Sequence, residues 1–436
     1  MERNYKDSGT KGIGLIPQSW DSRQLGIFFS ENKKANSNLE SVTALQFKYG
    51  EIIQKPNNGR DLSDKDKELL SKYTVIEPGD VIVNGLNLNF DLKSLRIAIA
   101  RENGIITSAY IVLKPRKGVN PNYYNYVLKA LDFQKILHGM GEGIRLTLSY
   151  DELKKLNVPA PAASIQSVIV DYLDKKCVEI DSLISLQEQM IEKLKAYKQS
   201  VITEAVTKGL DPNAKLIPSG IDWIGEIPEG WEVKPFKVVF RTGSGLSFTK
   251  ADLVKEGIPV ISYGQVHSKQ NKGTYIDDVL VRFVPAEITK GGETSKVNVG
   301  DFIFADTSED LDGCGNCVYI NKEIGLYAGY HSVIAFSKRH ESNAYLAYLF
   351  LTDCWRYQIR CRVSGIKVFS ISQSIIKQTS VILPPKEEQH DIASYLDEKC
   401  ADIDRLVEMK QKKIEKLKEY KKSVIFEAVT GKTKIE

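Results

Sequence analysis

The sequence lacks the features that mark secreted and membrane-spanning proteins. Only 6 of its 436 residues are cysteines, and their spacing does not form the framework of a disulfide-rich domain. No apolar run approaches the roughly 20 residues that a membrane helix needs. The first residues also lack the apolar core of a secretory signal. These absences predict a cytoplasmic protein without a membrane partner.

Motifs of common nucleotide-dependent and methyl-transferring enzymes are also missing. The short run Gly243-Ser-Gly245 lacks the lysine and the spacing of a phosphate-binding loop, and no Asn-Pro-Pro-aromatic motif of amino-methyltransferases is present. The 5 histidines show no pair at ligand spacing. The pair Cys314-Gly-Asn-Cys317 has no second pair to complete a zinc site. We therefore predict no catalytic residue, no metal site and no cofactor in this chain itself.

The net charge is small, because 60 Lys and Arg residues face 56 Asp and Glu residues. A value of +4 is low for a protein that grips nucleic acid with its whole surface. Any contact with nucleic acid must therefore be local. The segment 410–422 is rich in lysine. Such a run is more often a solvated helix face than a contact with nucleic acid.

One stretch of about forty residues occurs twice. The segment Tyr172–Asp174 returns as Tyr395–Asp397, 223 positions later, and Ile191–Lys195 returns as Ile414–Lys418 at the same offset. A single register over such a length indicates an internal duplication.

Each copy has the pattern of one long amphipathic helix. Apolar residues recur at alternating steps of three and four, with no Pro or Gly inside 166–207 or 389–430. Such helices are roughly 60 Å long, and their apolar stripe needs a partner. The nearest partner is the other copy, which predicts a coiled coil. Its predicted core is Ile180, Ile184, Ile191, Leu194, Val201, Ile403, Val407, Ile414, Leu417 and Val424.

Polar residues interrupt both stripes at matching positions. Gln187 and Lys198 interrupt the first stripe, and Lys410 and Lys421 interrupt the second. Such residues fix the register at some cost in stability, or they contact another subunit.

The duplication extends beyond the helices. Ile16-Pro17 and Trp20 correspond to Ile227-Pro228 and Trp231, 211 positions later. Because this offset is smaller than the 223 positions between the helices, the second repeat is longer between its Trp and its helix. We divide the chain into a first globular domain (1–158), a first long helix (159–209), a second globular domain (210–383), a second long helix (384–431) and a tail (432–436).

Both globular domains show short strands followed by a helix, which predicts an α+β fold. The first domain has strand patterns at 44–50, 81–83, 96–100, 105–107 and 110–113. Its helical pattern runs from Asn122 to His138, and the matching helix of the second domain is expected from Asn343 to about Arg360. The turn Gly79-Asp80 has a counterpart in Gly300-Asp301, whereas most other residues differ. This pattern predicts two domains that do the same kind of work on different targets.

Basic, amide and aromatic side chains in the predicted loops are the candidates for binding nucleic acid. Lys and Arg hold phosphates, and amides such as those of Asn84, Asn87 and Asn89 read base edges. Exposed Lys and Arg are also the default on any loop. The candidate DNA contacts are Arg96, Arg101, Arg145, Tyr263, Gln265, Lys269 and Lys367.

Arg145 and Lys367 follow matching Gly-Ile dipeptides in the two domains. A cation kept in two domains with different loops favours contact with the DNA backbone, because the backbone is common to every sequence. The alternative is an ion pair with a carboxylate near the long helix.

These motifs, in this order, resemble the specificity subunits of type I restriction–modification systems. The pattern comprises Ile-Pro-x-x-Trp before each variable domain, Pro384-Pro385 with Glu388-Gln389, the Tyr-Leu-Asp motif, and the segment Leu417–Gly431. The first repeat departs from it by having Pro159-Ala-Pro161 and Ile165-Gln166. The resemblance covers the whole chain.

The resemblance implies a protein that recognises DNA and is not an enzyme. Such subunits have two target-recognition domains, each reading one half of a split, asymmetric site in double-stranded DNA. Two long antiparallel helices with approximate two-fold symmetry set the spacing. They recruit two methyltransferase subunits, which bind S-adenosylmethionine, and restriction subunits, which are motor nucleases that use ATP and Mg.

Two other functions remain open at this point. One is a nuclease or methyltransferase with divergent motifs, which an assay of the purified chain alone would reveal. The other is a coiled-coil scaffold whose globular domains bind protein, which would show no salt-dependent binding to random duplex DNA.

Overall fold

The structure is a computed structural model, and it describes residues 4–10, 12–48, 50–56, 63–89, 95–141, 146–338 and 343–435. Contacts divide the chain into two compact units. Unit 1 comprises Met1–Glu188 and Gln411–Glu436, and unit 2 comprises Gln189–Lys410. Each unit therefore contains one globular domain together with a segment of each long helix.

Unit 1 is built from short strands and a few helices. Its strands are β1 (Tyr5–Asp7), β2 (Leu15–Pro17), β3 (Asp21–Gln24), β4 (Phe29–Glu31), β5 (Leu45–Lys48), β6 (Glu51–Gln54), β7 (Thr74–Ile76), β8 (Val81–Val83), β9 (Ile97–Ile99), β10 (Gly104–Ile106), β11 (Ile111–Pro115) and β12 (Asn157–Ala160). Its helices are α1 (Asp64–Ser71), α2 (Pro121–Phe133), α3 (Tyr150–Leu153) and the first part of α4 (Ala163–Lys208). Short 3-10 turns cover Leu25–Ile27 and Leu137–Gly139.

Unit 2 has a similar set of elements. Its strands are β13 (Leu216–Pro218), β14 (Glu226–Pro228), β15 (Glu232–Pro235), β16 (Phe240–Ser244), β17 (Ile258–Ile261), β18 (Arg282–Val284), β19 (Phe302–Ala305), β20 (Thr307–Ser308), β21 (Cys317–Tyr319), β22 (Tyr327–Ala328), β23 (Ser332–Ser337), β24 (Phe369–Ser370) and β25 (Ser380–Leu383). Its helices are α5 (Phe236–Val239), α6 (Tyr263–Val266), α7 (Ala286–Thr289), α8 (Ala344–Phe350), α9 (Asp353–Arg360), α10 (Gln373–Lys377) and the first part of α11 (Lys386–Val429). Its 3-10 turns cover Lys250–Asp252, Asp278–Leu280 and Glu293–Ser295.

A four-stranded antiparallel sheet forms the centre of each globular domain. Its strand order is β4-β11-β8-β9 in unit 1 and β16-β23-β19-β21 in unit 2. The register also matches, because Val81 lies opposite Ile99 and Phe302 lies opposite Tyr319. The continuous apolar runs of β8 and β19 are buried along their whole length. The mixed helix-and-strand fold predicted from the sequence is confirmed.

A buried aspartate precedes the central strand of each sheet. The Asp80 carboxylate accepts a hydrogen bond from the Glu77 backbone N–H at 3.1 Å, and the Asp301 carboxylate accepts one from the Asn298 N–H at 2.8 Å. Burial raises the pKa of both carboxyl groups. The two Gly-Asp turns recognised in the sequence thus have the same structural task, which is to start the strand that leads to the candidate binding loops.

The predicted helix of the second domain is interrupted. The sequence pattern suggested one helix from Asn343 to about Arg360, but α8 ends at Phe350 and α9 begins at Asp353. The Thr352 hydroxyl accepts a hydrogen bond from the Trp355 N–H at 3.4 Å and so caps α9. A threonine with that role stops a helix although the apolar periodicity continues through it.

The two long helices are present where the repeat predicts them, as α4 with 46 residues and α11 with 44 residues. Six of the predicted core residues are buried, namely Ile180, Ile191, Val201, Ile403, Ile414 and Val424. The remaining four are partly buried, namely Ile184, Leu194, Val407 and Leu417. The interrupting Gln187 is also buried, with 4% of its surface exposed.

In each unit a segment of α4 packs against a segment of α11, and the same ion pair joins them. In unit 1 the Lys421 ammonium donates to the Asp181 carboxylate at 2.7 Å. In unit 2 the Lys198 ammonium donates to Asp404 at 2.7 Å. These residues are equivalent in the repeat at the offset of 223. Two of the predicted interruptions, Lys198 and Lys421, therefore form defined ion pairs between the helices. Each pair contributes only about 0–1 kcal/mol to stability.

The helices are antiparallel within unit 2. Lys198 of α4 lies against Asp404, whereas Gly209, just beyond the end of α4, lies close to Glu388 near the start of α11. Advancing along one helix therefore means moving back along the other. Around this end, Val206 and Leu396 belong to one buried apolar cluster with the globular domain.

Two tyrosines attach each globular domain to both long helices. In unit 1 the Tyr126 hydroxyl donates to the Asp174 carboxylate at 2.6 Å, and the Tyr123 hydroxyl donates to the Val429 carbonyl at 3.3 Å. Burial raises the pKa of the Tyr126 hydroxyl, and the carboxylate raises it further, so the group remains a donor. The aspartate of the Tyr-Leu-Asp motif is thus an anchor for the globular domain.

Unit 2 repeats this attachment with the equivalent residues. The Tyr348 hydroxyl donates to Asp397 at 2.6 Å, and the Tyr345 hydroxyl donates to the Val206 carbonyl at 2.9 Å. Asp397 is the repeat of Asp174, and Val206 is the counterpart of Val429. A Tyr-x-x-Tyr pattern in both predicted helices was the signal for this joint in the sequence.

The Ile-Pro-x-x-Trp motif forms a second joint, at the end of a long helix. A Cβ added to Gly431 would lie 3.0 Å from the Trp20 ring, and one added to Gly209 would lie 3.2 Å from the Trp231 ring. Both glycines have φ near +70° (+69° and +76°), which favours glycine. The Trp231 indole N–H also donates to Glu388 at 2.9 Å. The motifs that the two repeats share therefore build the joints between domain and helices.

Candidate nucleic-acid interface

The structure places two loops side by side at one end of the central sheet in each unit. In unit 1 the loop Asn84–Asn89, here called the strand-exit loop, follows β8. The Leu148 N–H donates to the Gly85 carbonyl at 2.9 Å, and the Leu88 N–H donates to the Leu146 carbonyl at 3.1 Å. These bonds tie the strand-exit loop to the segment that leads to α3.

Unit 2 has the same arrangement after β19. The Ile371 N–H donates to the Asp306 carbonyl at 2.6 Å, and β20 pairs with β24, with Thr307 opposite Ser370. Ile371 is the repeat of Leu148. The backbone frame is therefore common to the two units, whereas the side chains on it differ.

The prediction that Arg96 contacts DNA directly is wrong, because only 1% of its surface is exposed. Its guanidinium group donates to the Asn84 carbonyl at 3.1 Å, to Leu86 at 2.8 Å and to Asn87 at 3.4 Å. Its backbone N–H donates to the Asp132 carboxylate at 2.9 Å. Arg96 thus supports the strand-exit loop from inside. The sequence signal for this supporting role was a charged residue at the start of an apolar strand, next to a loop rich in Asn and Gly.

Arg101 is exposed but does not lie at the strand-exit loop. Arg96 and Arg101 flank opposite ends of β9, so the two predicted contacts are not brought together. Burial lowers the pKa of Lys129, and the positive charges of Lys421 and, to a smaller extent, Arg101 lower it further. Arg145 lies outside the described residues.

The candidate residues of unit 2 gather around β20 and β24. The His267 ring Nε2 lies 2.8 Å from the Thr307 carbonyl oxygen, which holds α6 against β20. Gln265 has a structural task in this helix, since its side-chain carbonyl accepts from the Ser262 N–H at 3.1 Å. Lys269 is exposed in the turn that follows.

Tyr263 belongs to an aromatic surface cluster. Its ring centre lies 5.6 Å from that of Tyr330 and 5.5 Å from that of His331, and Phe248 packs on Tyr330 at 5.0 Å. His331 has a φ of +54°, a costly conformation for a residue with a side chain. Its ring is 60% exposed and lies 3.3 Å from the Asp306 carboxylate. The cluster offers aromatic faces and hydrogen-bonding groups on one rigid surface.

Lys367 projects from a tight turn next to β24. A Cβ on Gly365 would collide with the Val368 carbonyl, so the turn requires glycine. Ile366 beside it is 99% exposed. Among the described residues no carboxylate lies within ion-pair distance of Lys367.

Replacement of Lys367 by Ala is expected to weaken binding to specific and random DNA alike, because a backbone phosphate contact is independent of sequence. The slope of log affinity against log salt should become shallower by about one counterion. Mobility shifts over a range of salt concentrations measure both effects. Lys234→Ala, in the strand pair next to the long helices, is the matched control. A Lys367→Ala variant that bound random DNA normally but discriminated less among sequences would identify a base contact instead.

The cysteine pair at positions 314 and 317 is buried, and both thiols are free. The Cys314 thiol donates to the Asp310 carbonyl at 3.4 Å, and burial raises the pKa of Cys317 to about 12. In the part of the chain that the structure describes, no group of three or more His, Cys, Asp or Glu side chains is placed to hold a metal ion.

Each unit also exposes a set of apolar side chains on its segments of the long helices, here called the helix patch. In unit 1 it contains Leu183 (46% exposed), Leu186 (50%) and Tyr420 (55%). In unit 2 it contains Leu406 (43%), Met409 (60%) and Tyr197 (58%). The residues of one patch are the repeats of the other at the offset of 223. Their exposure distinguishes them from the buried core stripe.

No helix within the described ranges is both long enough and apolar enough to span a membrane.

Comparison with known proteins identifies the class. Residues 228–419 match the type I restriction modification DNA specificity domain. The type I restriction enzyme MjaVIII specificity subunit of Methanocaldococcus jannaschii is 24% identical over 99% of this chain and 97% of its own length. The StySPI specificity subunit of Salmonella potsdam is 21% identical over 96% of this chain and 90% of its own.

Solved structures show the same fold. One chain, from work on complex assembly and conformational transition of the type I R-M system, has a TM-score of 0.69 and 14% identity, covering 95% of this chain and 98% of that one. The HsdS subunit from Thermoanaerobacter tengcongensis has a TM-score of 0.52 and 15% identity, covering 96% and 98%.

The matched domain and these relatives define the class that the chain resembles, which is that of DNA specificity proteins. Over nearly its whole length the chain is similar to the specificity subunits of type I restriction–modification systems, as its motifs predicted. Both relatives are named as specificity subunits of such enzymes.

Proposed function

We propose that the chain binds a two-part, asymmetric target in double-stranded DNA and that each unit contacts one half of it. The observation that carries this proposal is the common backbone frame with different side chains. Both units tie the same two loops together, at Gly85 with Leu148 and at Asp306 with Ile371. Proteins that read different bases in the same way need that combination, because the frame positions the protein and the side chains select the bases.

The local chemistry supports binding to DNA. In unit 2 the exposed cations Lys269 and Lys367 lie on segments that flank the β20–β24 pair, as does the aromatic cluster around Tyr263. Lysines at the margin hold phosphates, and polar and aromatic groups between them face the bases. The small net charge agrees with contacts that are confined to these loops.

The helix patches are the proposed sites for two copies of one partner. A surface present once in each unit, built from equivalent residues, fits two identical partners better than two different ones. Tyr, Met and Leu side chains are typical of the desolvated centre of an interface. We assign these partners as the methyltransferase subunits, which would bring S-adenosylmethionine to each half-site. Restriction subunits, with their ATP and Mg, would complete the assembly.

Replacing Leu183 and Leu186 by Glu is expected to remove one methyltransferase copy from the complex. Two carboxylates in a desolvated interface are costly because they lose their water without gaining partners. Native mass spectrometry of the purified complex reports the stoichiometry. The matched control is Val178→Glu, which changes an exposed apolar residue, 65% exposed, outside the patch; its repeat position is Ala401. Retention of both copies in the double variant would rule out this surface.

The proposed function is tested by assaying methyl transfer with the purified chain alone and with the chain plus its methyltransferase subunit. We expect activity only in the second case, and only on DNA that carries the two-part site. Methyl transfer by the chain alone would instead establish an enzyme.

A further inference from the structure

The strand-exit loop of unit 1 has an unusually constrained backbone. From inside, Arg96 binds the carbonyl oxygens of Asn84, Leu86 and Asn87. On its other side, backbone hydrogen bonds join it to the segment 146–148. A Cβ on Gly85 would lie 2.7 Å from the Leu148 carbonyl oxygen, so this close approach depends on glycine. A loop held on both sides can present a side chain in one fixed place.

Asn87 and Asn89 are the exposed side chains of this loop, and Asn89 already makes an interaction within the protein. The amide of Asn84 is engaged locally, since its oxygen accepts from the Leu86 N–H at 3.2 Å. Asn87 is exposed and has a φ of +51°, a left-handed conformation that Asn tolerates better than most residues. Within the described residues no group forms a hydrogen bond with its side-chain amide. A buried arginine therefore positions an amide that has no hydrogen-bond partner among the residues that the structure describes.

Unit 2 uses the same place for different chemistry. Its loop after β19 is tied to Ile371 in the same way, but it exposes Glu309 and Leu311 instead of amides. If the loop had only a structural role, we would expect the same residue in both repeats, as is found at the tyrosine and tryptophan joints. Divergence of the exposed side chain on a common frame is expected of a residue that selects a base.

We infer that Asn87 is a specificity-determining residue that reads an adenine in the half-site of unit 1. Its side-chain oxygen would accept from the adenine N6 amino group while its Nδ2 donates to N7, the pairing that an amide makes in the major groove. This inference rests on the proposed DNA recognition and adds to it the residue and the base.

The test removes one partner at a time from the protein and from the DNA. The complex of the full chain with its methyltransferase subunits is titrated with duplexes that carry its methylated site, in which each adenine in turn is replaced by 7-deazaadenine. Wild type should lose affinity about ten- to a hundredfold at one adenine, where N7 is missing. Asn87→Gly removes the amide and keeps the left-handed backbone, so it should bind all of these duplexes equally. The matched control Lys135→Gly, at another left-handed position in unit 1 (φ +58°), should behave as wild type.

The outcomes separate the inference from the proposed function. If no adenine shows a loss that Asn87→Gly abolishes, the inference is wrong, although preference for the site over random DNA still supports the proposed function. If Asn87→Gly weakens binding to the site and to random DNA equally, Asn87 has a structural or phosphate-binding role and the inference is again wrong. If wild type shows no preference for any two-part site, the proposed function fails and the inference with it.

Discussion

Exchanging residues 21–160 for the corresponding segment of another family member is expected to replace one half of the methylated motif and to leave the other half unchanged. The structure defines the cut, because Asp21 and Ala160 lie opposite each other at the end of the β3–β12 pair. The exchange therefore moves an intact strand pair and keeps Trp20 and α4 in place. The old half-site should lose its advantage completely, since each wrong base pair costs about 1–3 kcal/mol.

The donor segment has to carry tyrosines at the positions of Tyr123 and Tyr126, because these hydroxyls hold the domain on both long helices. A donor with Phe at both positions is a control for the joint and should give a less stable complex. The reciprocal exchange of residues 232–383, which begins and ends on the β15–β25 pair, should change the opposite half. A single exchange that altered both halves of the motif would show that the units do not read independently.

Replacing Ile191 and Leu194 by Asp is expected to unfold unit 2 or to make it aggregate. Only 6% of the Ile191 surface is exposed, and Leu194 is partly buried. Losing two such apolar side chains costs about 1.5–3 kcal/mol each when burial is complete, and the desolvation of two unpaired carboxylates adds several kcal/mol. That total is comparable to the whole stability of a typical domain, about 5–15 kcal/mol.

Circular dichroism and size-exclusion chromatography measure this effect. The control places two Asp residues on the same helix at Val178 and Ser182, which are both exposed, and this protein should remain folded. A folded, soluble Ile191→Asp and Leu194→Asp variant would show that the apolar stripe of α4 is not a core.

The long helices and the order of the domains could be predicted because repetition supplies its own evidence. One register kept over Tyr172–Lys195 and again over Tyr395–Lys418 leaves little room for another interpretation. The strands could be predicted where a Gly-Asp turn precedes an apolar run, as at Val81–Val83. The break at Thr352 was missed because a capping threonine does not disturb the apolar period around it.

The binding loops could be predicted much less well. From the sequence alone, Arg96 resembles an exposed cation. Only the structure shows that its guanidinium group is buried and donates to three carbonyl groups of the strand-exit loop. The helix that carries Tyr263 and Gln265 is held against β20 by His267. The turn with Lys367 lies next to β24, which pairs with β20 although the two strands are about sixty residues apart in the sequence. The Tyr-x-x-Tyr pattern could be recognised in both repeats of the sequence. The groups on the long helices that these hydroxyls contact could be identified only from the hydrogen bonds in the structure.

The central claim, that each unit reads its own half of a split site, is tested most directly by sequencing methylated bases in DNA from cells that contain this chain and its methyltransferase partner. Cells without the chain provide the reference. We predict one motif that depends on the chain, made of two different short half-sites separated by a fixed number of unspecified bases. A motif that is continuous, or two identical half-sites, would contradict the claim, as would methylation that is unchanged when the chain is absent.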